Sequence, residues 1–474
     1  MKHNSPSVPL VVIGAGPAGL TAAHEATRAG IRTTVLEASR WIGGIARTEE
    51  HQGYRFDIGG HRFYTKVPEV QRLWEEALGP ELRATPRLSR IHFNNKFYPY
   101  PLAPWTTLQN LGIGPSMMAL ASYAKARIQP TPQEDTFEDW VTNRFGRRLY
   151  ETFFKTYTEK VWGLDCRQIR AEWAAQRIQD LSLLTAVRQA ILPARSGPKT
   201  LIREFHYPRL GPGMMWDRFA ERLKEEGGRV ETSADVMAIH HAHGRVHSVT
   251  FHQAGTHHTL QTQRVISSMA LDDLIARFNP APPPAVLDAG RALRYRDFIL
   301  VGLVLRRQSN FADNWIYIHS PAVRVGRIQN FGNWSPDLLP DQKTTSLGME
   351  YFCSRGDDLW ESSDDALIQL ASREVEQLGF ATRAQVAWGV VIRQPKAYPV
   401  YDSHHHRHLL TIRSWLDTLT NFQTIGRNGQ HRYNNQDHSM LTGIAAIQRF
   451  LGQPADPWQV NTERSYYEEL KTSS

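Results

Sequence analysis

Cysteine is scarce in this sequence, and long apolar runs are missing. Among 474 residues, only Cys166 and Cys353 are cysteines, and neither belongs to a Cys-x-x-Cys pair. Two cysteines cannot build a disulfide framework, so the reducing cytoplasm is the predicted location. The apolar stretches fall short of the roughly 20 residues that a membrane-spanning helix needs, which predicts no transmembrane segment. Glycines and a proline interrupt the apolar run 8–20, which predicts a strand, a turn and a helix rather than a signal peptide.

Blocks of like charge are also lacking. The formal net charge is +8 and the pI is about 9.4, but Lys and Arg are scattered along the chain and accompany no nucleic-acid-binding motif. No nucleic-acid partner is therefore predicted, and a phosphate-bearing small ligand fits the charge better. The 41% hydrophobic and 22% charged residues are typical of a globular protein. The length predicts two closely joined domains.

No signature of a metal site or of a serine-nucleophile or P-loop enzyme occurs in the sequence. The histidines His404, His405, His406 and His408 are crowded and lack partner carboxylates or cysteines. They predict a solvated loop, and no metal is predicted.

A glycine motif follows the first apolar strand. Gly14, Gly16 and Gly19 form G-x-G-x-x-G between a strand predicted at Pro9–Ile13 and apolar residues at helical spacing. These glycines allow a tight turn, close approach of a pyrophosphate and close helix packing, and the pyrophosphate binds the helix N-terminus. Glu37 ends a second predicted strand, where a carboxylate can bind a ribose. The pattern is a βαβ dinucleotide-binding unit.

The next stretch distinguishes FAD from NAD. Trp41-Ile-Gly-Gly-Ile-Ala-Arg-Thr48 resembles the GG-motif shared by amine oxidases, protoporphyrinogen oxidases and UDP-galactopyranose mutases. The resemblance implies FAD as the cofactor, with Gly43 and Gly44 close to its long axis and Arg47 near its diphosphate.

The remaining pattern predicts an α/β fold in which two domains are interleaved. Residues 67–203 are predicted to be largely helical, and strands are predicted between residues 229 and 268. A proline-rich linker at 279–284 is followed by strands at 298–305 and 345–352 and a last helix at 439–450. A Rossmann-like FAD-binding domain with a parallel sheet is predicted for residues 1–66, 206–284 and 421–474. A helical and mixed-sheet substrate domain, inserted discontinuously, is predicted for residues 67–205 and 285–420.

Further motifs are similar to eukaryotic UDP-galactopyranose mutases. They are Gly59-Gly-His-Arg-Phe-Tyr64, Lys160-Val-Trp-Gly163, Ala171-Glu-Trp-Ala-Ala-Gln-Arg177, Tyr207-Pro-Arg-Leu-Gly-Pro-Gly213 and Gly426-Arg-Asn-Gly-Gln-His-Arg-Tyr-Asn-Asn-Gln-Asp-His-Ser439. The resemblance places His61 nearest the flavin ring. It also brings arginines and phenols to the sugar nucleotide, and guanidinium forks match phosphate oxygens.

The resemblance yields three sets of predicted site residues. The catalytic set is His61, Arg177, Arg327, Tyr398 and Tyr433. The substrate-binding set is Tyr100, Trp162, Arg177, Arg327, Tyr398 and Tyr433. The cofactor-binding set is Gly14, Gly16, Pro17, Ala18, Gly19, Glu37, Ala38, Gly43, Gly44, Arg47, Gly60, His61, Gly426, Arg427, Asp437, His438 and Ser439.

The activity implied by the resemblance is ring isomerisation of a nucleoside-diphosphate sugar. In that family reduced flavin acts as the nucleophile and net oxidation is zero, so the partners would be a sugar nucleotide and an external reductant such as NAD(P)H or a flavin reductase. Two features depart from the pattern. Ala103 stands where eukaryotic mutases carry a glutamine near the nucleobase, and the two glycine-pair motifs lean toward protoporphyrinogen oxidases. The alternative is an FAD-dependent oxidoreductase that dehydrogenates or desaturates its substrate.

Overall fold

The computed structural model describes residues 7–100, 102, 104–171, 204–309 and 311–461. Arg177 and Ala103 lie outside these residues. The strands, numbered β1 to β19 in chain order, are Ser7–Ile13, Thr33–Leu36, Thr48–His51, Tyr54–Asp57, Leu82–Pro86, Ser89–Phe93, Lys96–Pro99, Glu204–Pro208, Arg229–Glu231, Asp235–Ala242, Arg245–Gln253, Thr256–Ser267, Phe278–Asn279, Tyr295–Leu305, Trp315–Ile318, Arg327–Asn330, Thr345–Cys353, Val386–Pro399 and Phe422–Thr424.

Helices connect these strands and cover both sheets. They span Pro17–Arg28, Pro68–Leu78, Pro104–Leu111, Ile113–Ile128, Phe137–Phe145, Arg147–Leu149, Thr156–Trp162, Gly213–Glu225, Leu271–Ala276, Pro284–Ala292, Phe331–Trp334, Asp358–Glu361, Asp364–Gln377, His405–Leu416, Gly426–Gly429 and Gln436–Phe450. A π-helical turn occupies Tyr150–Lys155. In this part of the chain, no helix combines the length and the apolar character needed to cross a bilayer.

The first sheet carries the predicted βαβ unit. Its order is β13-β10-β11-β12-β1-β2-β9, and β19 pairs with the end of β12. The pairs β12–β1, β1–β2, β2–β9 and β12–β19 are parallel, so the carboxyl ends of these strands meet at one edge. Strands from the beginning, the middle and the end of the chain therefore build one edge together.

The second sheet has the order β18-β14-β17-β16-β15-β6-β7 and is antiparallel except for the β15–β6 pair. Each face of this sheet has its own apolar core. Two sheets with separate cores confirm the predicted α/β class. The helix Pro68–Leu78, predicted for the second domain, packs through Trp74 in the core of the first sheet. The domain boundaries themselves stay a prediction.

The stretch 82–99 differs from the helical prediction, because it forms β5, β6 and β7. Asn94 and Asn95 form the two-residue loop between β6 and β7, and both have positive φ angles of 49° and 56°. Such a loop is the usual connection of a tight β-hairpin. The local turn thus overrides the helical pattern on either side.

Candidate functional site

A long cleft opens at the carboxyl edge of the first sheet and contains about 1060 Å³ of empty space. One wall is the turn after β1 with the following helix, and the other comes from residues 394–397 and 426–439. Of the predicted cofactor residues, the cleft is lined by Gly14, Gly16, Pro17, Ala18, Glu37, Ala38, Gly44, His61, Gly426, Arg427 and Ser439.

The glycine turn is built for close approach. Gly14 has a φ of +96° and donates its N–H to the Leu36 carbonyl at 2.8 Å. A Cβ at Gly19 would overlap the Gly14 carbonyl oxygen, so only glycine fits beneath the turn. Gly16 caps the helix Pro17–Arg28, whose free N–H groups face the cleft and favour a phosphate.

The Glu37 carboxylate is fixed at the far end of this turn. One oxygen accepts the Ala15 N–H at 2.8 Å and the other accepts the Ser39 N–H at 2.9 Å. Each oxygen keeps a further lone pair for a ribose hydroxyl. The position is that of a ribose-binding carboxylate.

The second glycine pair lies against the first motif. Gly43 donates to the Ala15 carbonyl at 2.8 Å, and a Cβ at Gly44 would lie 3.2 Å from the Gly16 Cα. Arg47 is not among the residues that line the cleft. Its guanidinium pairs with Glu49 at 2.8 Å and donates to the Gly44 carbonyl and to Gln394. Because Glu49 already compensates its charge, Arg47 holds the wall in place where the sequence predicted a diphosphate contact.

The opposite wall carries buried polar atoms that have no hydrogen-bond partner among the described residues. They are Asn428 Oδ1, Asn434 Nδ2 and Gln436 Oε1, and all three residues line the cleft. Buried polar groups are normally satisfied. These atoms therefore fit a bound polar molecule such as a dinucleotide. The sequence analysis missed them, although each belongs to the Gly426–Ser439 motif.

Besides Arg47, five predicted cofactor residues are not among those that line the cleft: Gly19, Gly43, Gly60, Asp437 and His438. Gly19 and Gly43 shape the turns, whereas Asp437 is buried at the start of the helix Gln436–Phe450, 3.9 Å from a ring nitrogen of His438. Gly60 lies next to Gln329 and Trp334. Their contribution to the cleft is packing rather than lining.

His61 stands at the inner end of the cleft. Its Nε2 lies 2.9 Å from the Ile58 carbonyl oxygen. Burial, helped by the charges of Arg427 and Arg327, lowers the pKa of His61 to about 4. The imidazole is consequently neutral near pH 7. An Nε2–H donated to Ile58 leaves Nδ1 as an acceptor.

Arg327 and His61 both lie close to the Gly59 backbone. A Cβ at Gly59 would lie 3.8 Å from Arg327 Nη2 and 3.9 Å from His61 Nε2. Arg327 Nε donates to Glu350 at 2.5 Å, and Gln329 donates to the other Glu350 oxygen at 2.7 Å. Burial alone would lower the pKa of Arg327, but Glu350 together with Tyr398, Tyr157 and Tyr317 more than offsets this, and the pKa is raised. Arg327 is thus a fixed, permanently charged fork.

A second arginine, Arg427, lies against two stacked phenol rings. The rings of Tyr398 and Tyr433 stack at 5.8 Å, and the Arg427 guanidinium lies 4.4 Å from the Tyr433 centroid and 5.5 Å from that of Tyr398. Arg427 donates to the carbonyls of Ala397 and Asn434. Within the described part of the chain, no carboxylate lies within ion-pairing distance of it.

Further aromatic residues extend this group. Tyr317 contacts Tyr100 at 4.7 Å and Tyr157 at 5.5 Å, and Trp162 meets Tyr398 edge-on at 6.2 Å. Tyr157, Tyr317 and Arg327 interact electrostatically. Tyr157 and Tyr317 were missed by the sequence analysis, because neither lies in a motif. The signal that could identify Tyr317 is its position in the sheet, because it pairs with Arg327 across β15 and β16.

The predicted histidine loop is wrong in its secondary structure. The helix His405–Leu416 begins there, with His404 as its N-cap residue. His405 packs on Tyr401 at 4.6 Å, and burial lowers its pKa to about 4. Packing on Tyr401 and His431 draws the segment against the protein. Among the described residues, no three side chains of the metal-binding types gather into a site.

The buried carboxylate of Asp57 makes the stability of the protein depend on pH. This fully buried carboxylate accepts hydrogen bonds from Tyr207 and from Thr48 Oγ1, and burial raises its pKa to about 7. A raised carboxyl pKa favours the protonated folded state, so its contribution to stability is lost as pH rises from about 4 through 7. We expect Asp57→Asn to flatten the dependence of stability on pH between 5 and 8.

Urea unfolding midpoints at several pH values check this expectation. Asp288→Asn, at an exposed position, serves as the control and should keep the slope of the unaltered protein. Equal slopes for the Asp57 variant and the unaltered protein would show that Asp57 does not titrate in this range.

The comparisons with known proteins agree with this geometry. The profile of the flavin-containing amine oxidoreductases matches residues 17–414, most of the chain. The chain belongs to the flavin-containing amine oxidoreductase family. It is therefore a flavoenzyme.

Among solved structures, reduced UDP-galactopyranose mutase superposes with a TM-score of 0.84 and 20% identity, covering 97% of this chain and 100% of that chain. A putrescine oxidase with redesigned cofactor binding gives a TM-score of 0.61 at 15% identity, covering 94% and 100%. At these identities the likeness establishes the fold. The predicted membership of the amine oxidase superfamily is confirmed by the profile, and the mutase-like fold by the superposition.

Relatives by sequence in this family are oxidoreductases. Coproporphyrinogen III oxidase of Mycobacterium tuberculosis is 27% identical over 264 residues, or 48% of this chain and 58% of that enzyme. Pseudooxynicotine dehydrogenase of a Pseudomonas species is 39% identical over 77 residues, or 16% and 15%. The chain thus spans less than two thirds of the length of these relatives.

Proposed function

We propose that this family member is an FAD-dependent mutase that converts a nucleoside-diphosphate sugar between pyranose and furanose rings. The observation that carries the proposal is the convergence of Arg327 and Arg427 with four phenols near His61, which lines the cleft. Several converging charged and neutral donors suit a diphosphate. Dehydrogenation of an apolar substrate has no need of them.

FAD is the proposed form of the flavin. The Gly14–Gly19 turn would hold its pyrophosphate, the Glu37 carboxylate its ribose, and the unpartnered amides of Asn434 and Gln436 its remaining polar edge. When bound in reduced form, the flavin supplies the nucleophile for the sugar. The redox state would be set by an external reductant such as NAD(P)H or a flavin reductase.

The protein residues would act on the leaving and returning diphosphate. Arg327 presents Nη2 toward the Gly59 backbone, and its buried partner Glu350 prevents the guanidinium from swinging. Burial raises the pKa of Tyr398 to about 12, so this phenol stays a neutral donor at physiological pH. Held donors of this kind stabilise charge without reorganisation and keep the diphosphate close to the sugar.

The alternative is a flavin oxidoreductase, which the sequence relatives favour, because coproporphyrinogen III oxidase acts by oxidation as its name states. In that case an electron acceptor replaces the reductant. The Arg427 guanidinium would then bind a carboxylate of the substrate.

Anaerobic turnover distinguishes the two activities. We expect dithionite-reduced enzyme to convert one of the UDP-, dTDP- or GDP-sugars into a furanose product without consuming reductant in proportion to turnover. The oxidised enzyme should be inactive, because it lacks the nucleophile. Chromatography of the sugar nucleotides measures the product. Turnover restricted to oxidised flavin with an electron acceptor would refute the mutase and support the oxidoreductase.

A further inference from the structure

The helix Ile113–Ile128 exposes large apolar side chains and buries small ones, the reverse of an ordinary surface helix. Ile113 is 82% exposed, Met117 66% and Ile128 78%, whereas the small residues Ala119 and Ala126 are buried. Its back is held to the protein by Gly146, where a Cβ would lie 2.6 Å from the Tyr123 nitrogen. Soluble proteins usually bury their large aliphatic side chains. Here the packing uses alanines and leaves the large side chains outside.

Most of the exposed large side chains form one stripe, whereas Met118, which is 51% exposed, lies outside it beyond Lys125. At about 100° per residue, Ile113, Met117, Leu120, Ala124 and Ile128 fall within an arc of about 80°. Lys125 and Arg127 flank this arc, one on each side, and the 16 residues of the helix include no Asp or Glu. An apolar stripe with basic edges is the pattern of a helix that lies in a membrane interface.

We propose that this helix docks the enzyme on a bilayer surface that carries anionic lipid. The aliphatic stripe enters the boundary between headgroups and acyl chains, and the long side chains of Lys125 and Arg127 reach outward to lipid phosphates. The net charge of +8 adds attraction to the same surface. A second copy of the chain fits less well, because the helix offers no carboxylate to meet the basic residues of its counterpart.

Sedimentation with vesicles tests the proposal. The flavin-loaded protein is mixed with vesicles of phosphatidylcholine alone or of equal parts phosphatidylcholine and phosphatidylglycerol. We expect strong sedimentation with the mixed vesicles and weak sedimentation with neutral ones. The combined variant Ile113→Gln, Met117→Gln and Ile128→Gln should weaken binding to mixed vesicles about tenfold or more. The combined variant Lys125→Gln and Arg127→Gln should remove the preference for anionic lipid.

Met237→Gln is the matched control, since Met237 is an exposed apolar residue on β10, outside this helix. It should bind vesicles like the unaltered protein, and the flavin absorbance of every variant reports that the fold is intact. The proposal is overturned if the unaltered protein stays in the supernatant, or if the triple glutamine variant sediments equally. Self-association in light scattering that the triple variant loses, without vesicle binding, would assign the stripe to a second copy instead.

Discussion

Arg327→Ala is expected to lower kcat/KM for the sugar nucleotide by about 10²- to 10³-fold while the flavin stays bound. Removing one fixed charge donor from a developing anion has an effect of this size in other enzymes. The flavin site should survive, because Arg327 is not among the residues that line the cofactor cleft. Steady-state kinetics and titration of UDP against flavin fluorescence measure the two effects separately.

The buried partner of Arg327 must be controlled for. Without the guanidinium, Glu350 remains as a fully buried carboxylate, and such a loss destabilises proteins by about 3–5 kcal/mol. Combining Arg327→Ala with Glu350→Gln removes this penalty but does not restore the phosphate contact. If the double variant recovers full affinity for UDP, the arginine acts only through stability and has no place in the substrate site.

Gly19→Ala is expected to weaken flavin retention strongly. The new methyl group would overlap the carbonyl oxygen of Gly14, so the turn that faces the pyrophosphate must move. Overpacking of this kind costs about 1–3 kcal/mol, which corresponds to flavin binding about 5- to 140-fold weaker. The ratio of flavin to protein absorbance after gel filtration measures the loss.

Gly114→Ala supplies the comparison, because an added Cβ there meets no atom within 4 Å. That variant should purify with its full flavin complement. A Gly19 variant as yellow as the Gly114 variant would show that the turn tolerates a side chain and that the pyrophosphate lies elsewhere.

Local sequence rules predicted the cofactor half of the fold well. The turn after β1 depends on Gly14 and Gly19, whose steric requirements act over a few residues and can therefore be identified in one sequence. The strands β10, β11 and β17 also follow directly from apolar alternation. The β6–β7 hairpin was missed because its signal, the pair Asn94 and Asn95, lies within a stretch of helical pattern.

The substrate half was less predictable, because its residues meet only in the folded chain. Tyr157 and Tyr317 are separated by 160 positions yet lie around Arg327. No sequence motif predicts that these side chains lie close together. Arg47 shows the opposite limitation of sequence analysis. The motif that contains it was recognised, but the motif does not reveal that its guanidinium pairs with Glu49, two residues later.

The place of β12 between β1 and β19 has a consequence for biosynthesis. A ribosome that has released residues 1–300 has delivered the glycine turn, but the segment that supplies Gly426, Asn434 and Gln436 to the opposite wall is still to come. Flavin capture must therefore wait until residues 426–436 have left the ribosome. Truncated chains should accumulate colourless, and any chaperone that escorts this protein must shield an open sheet edge during the interval.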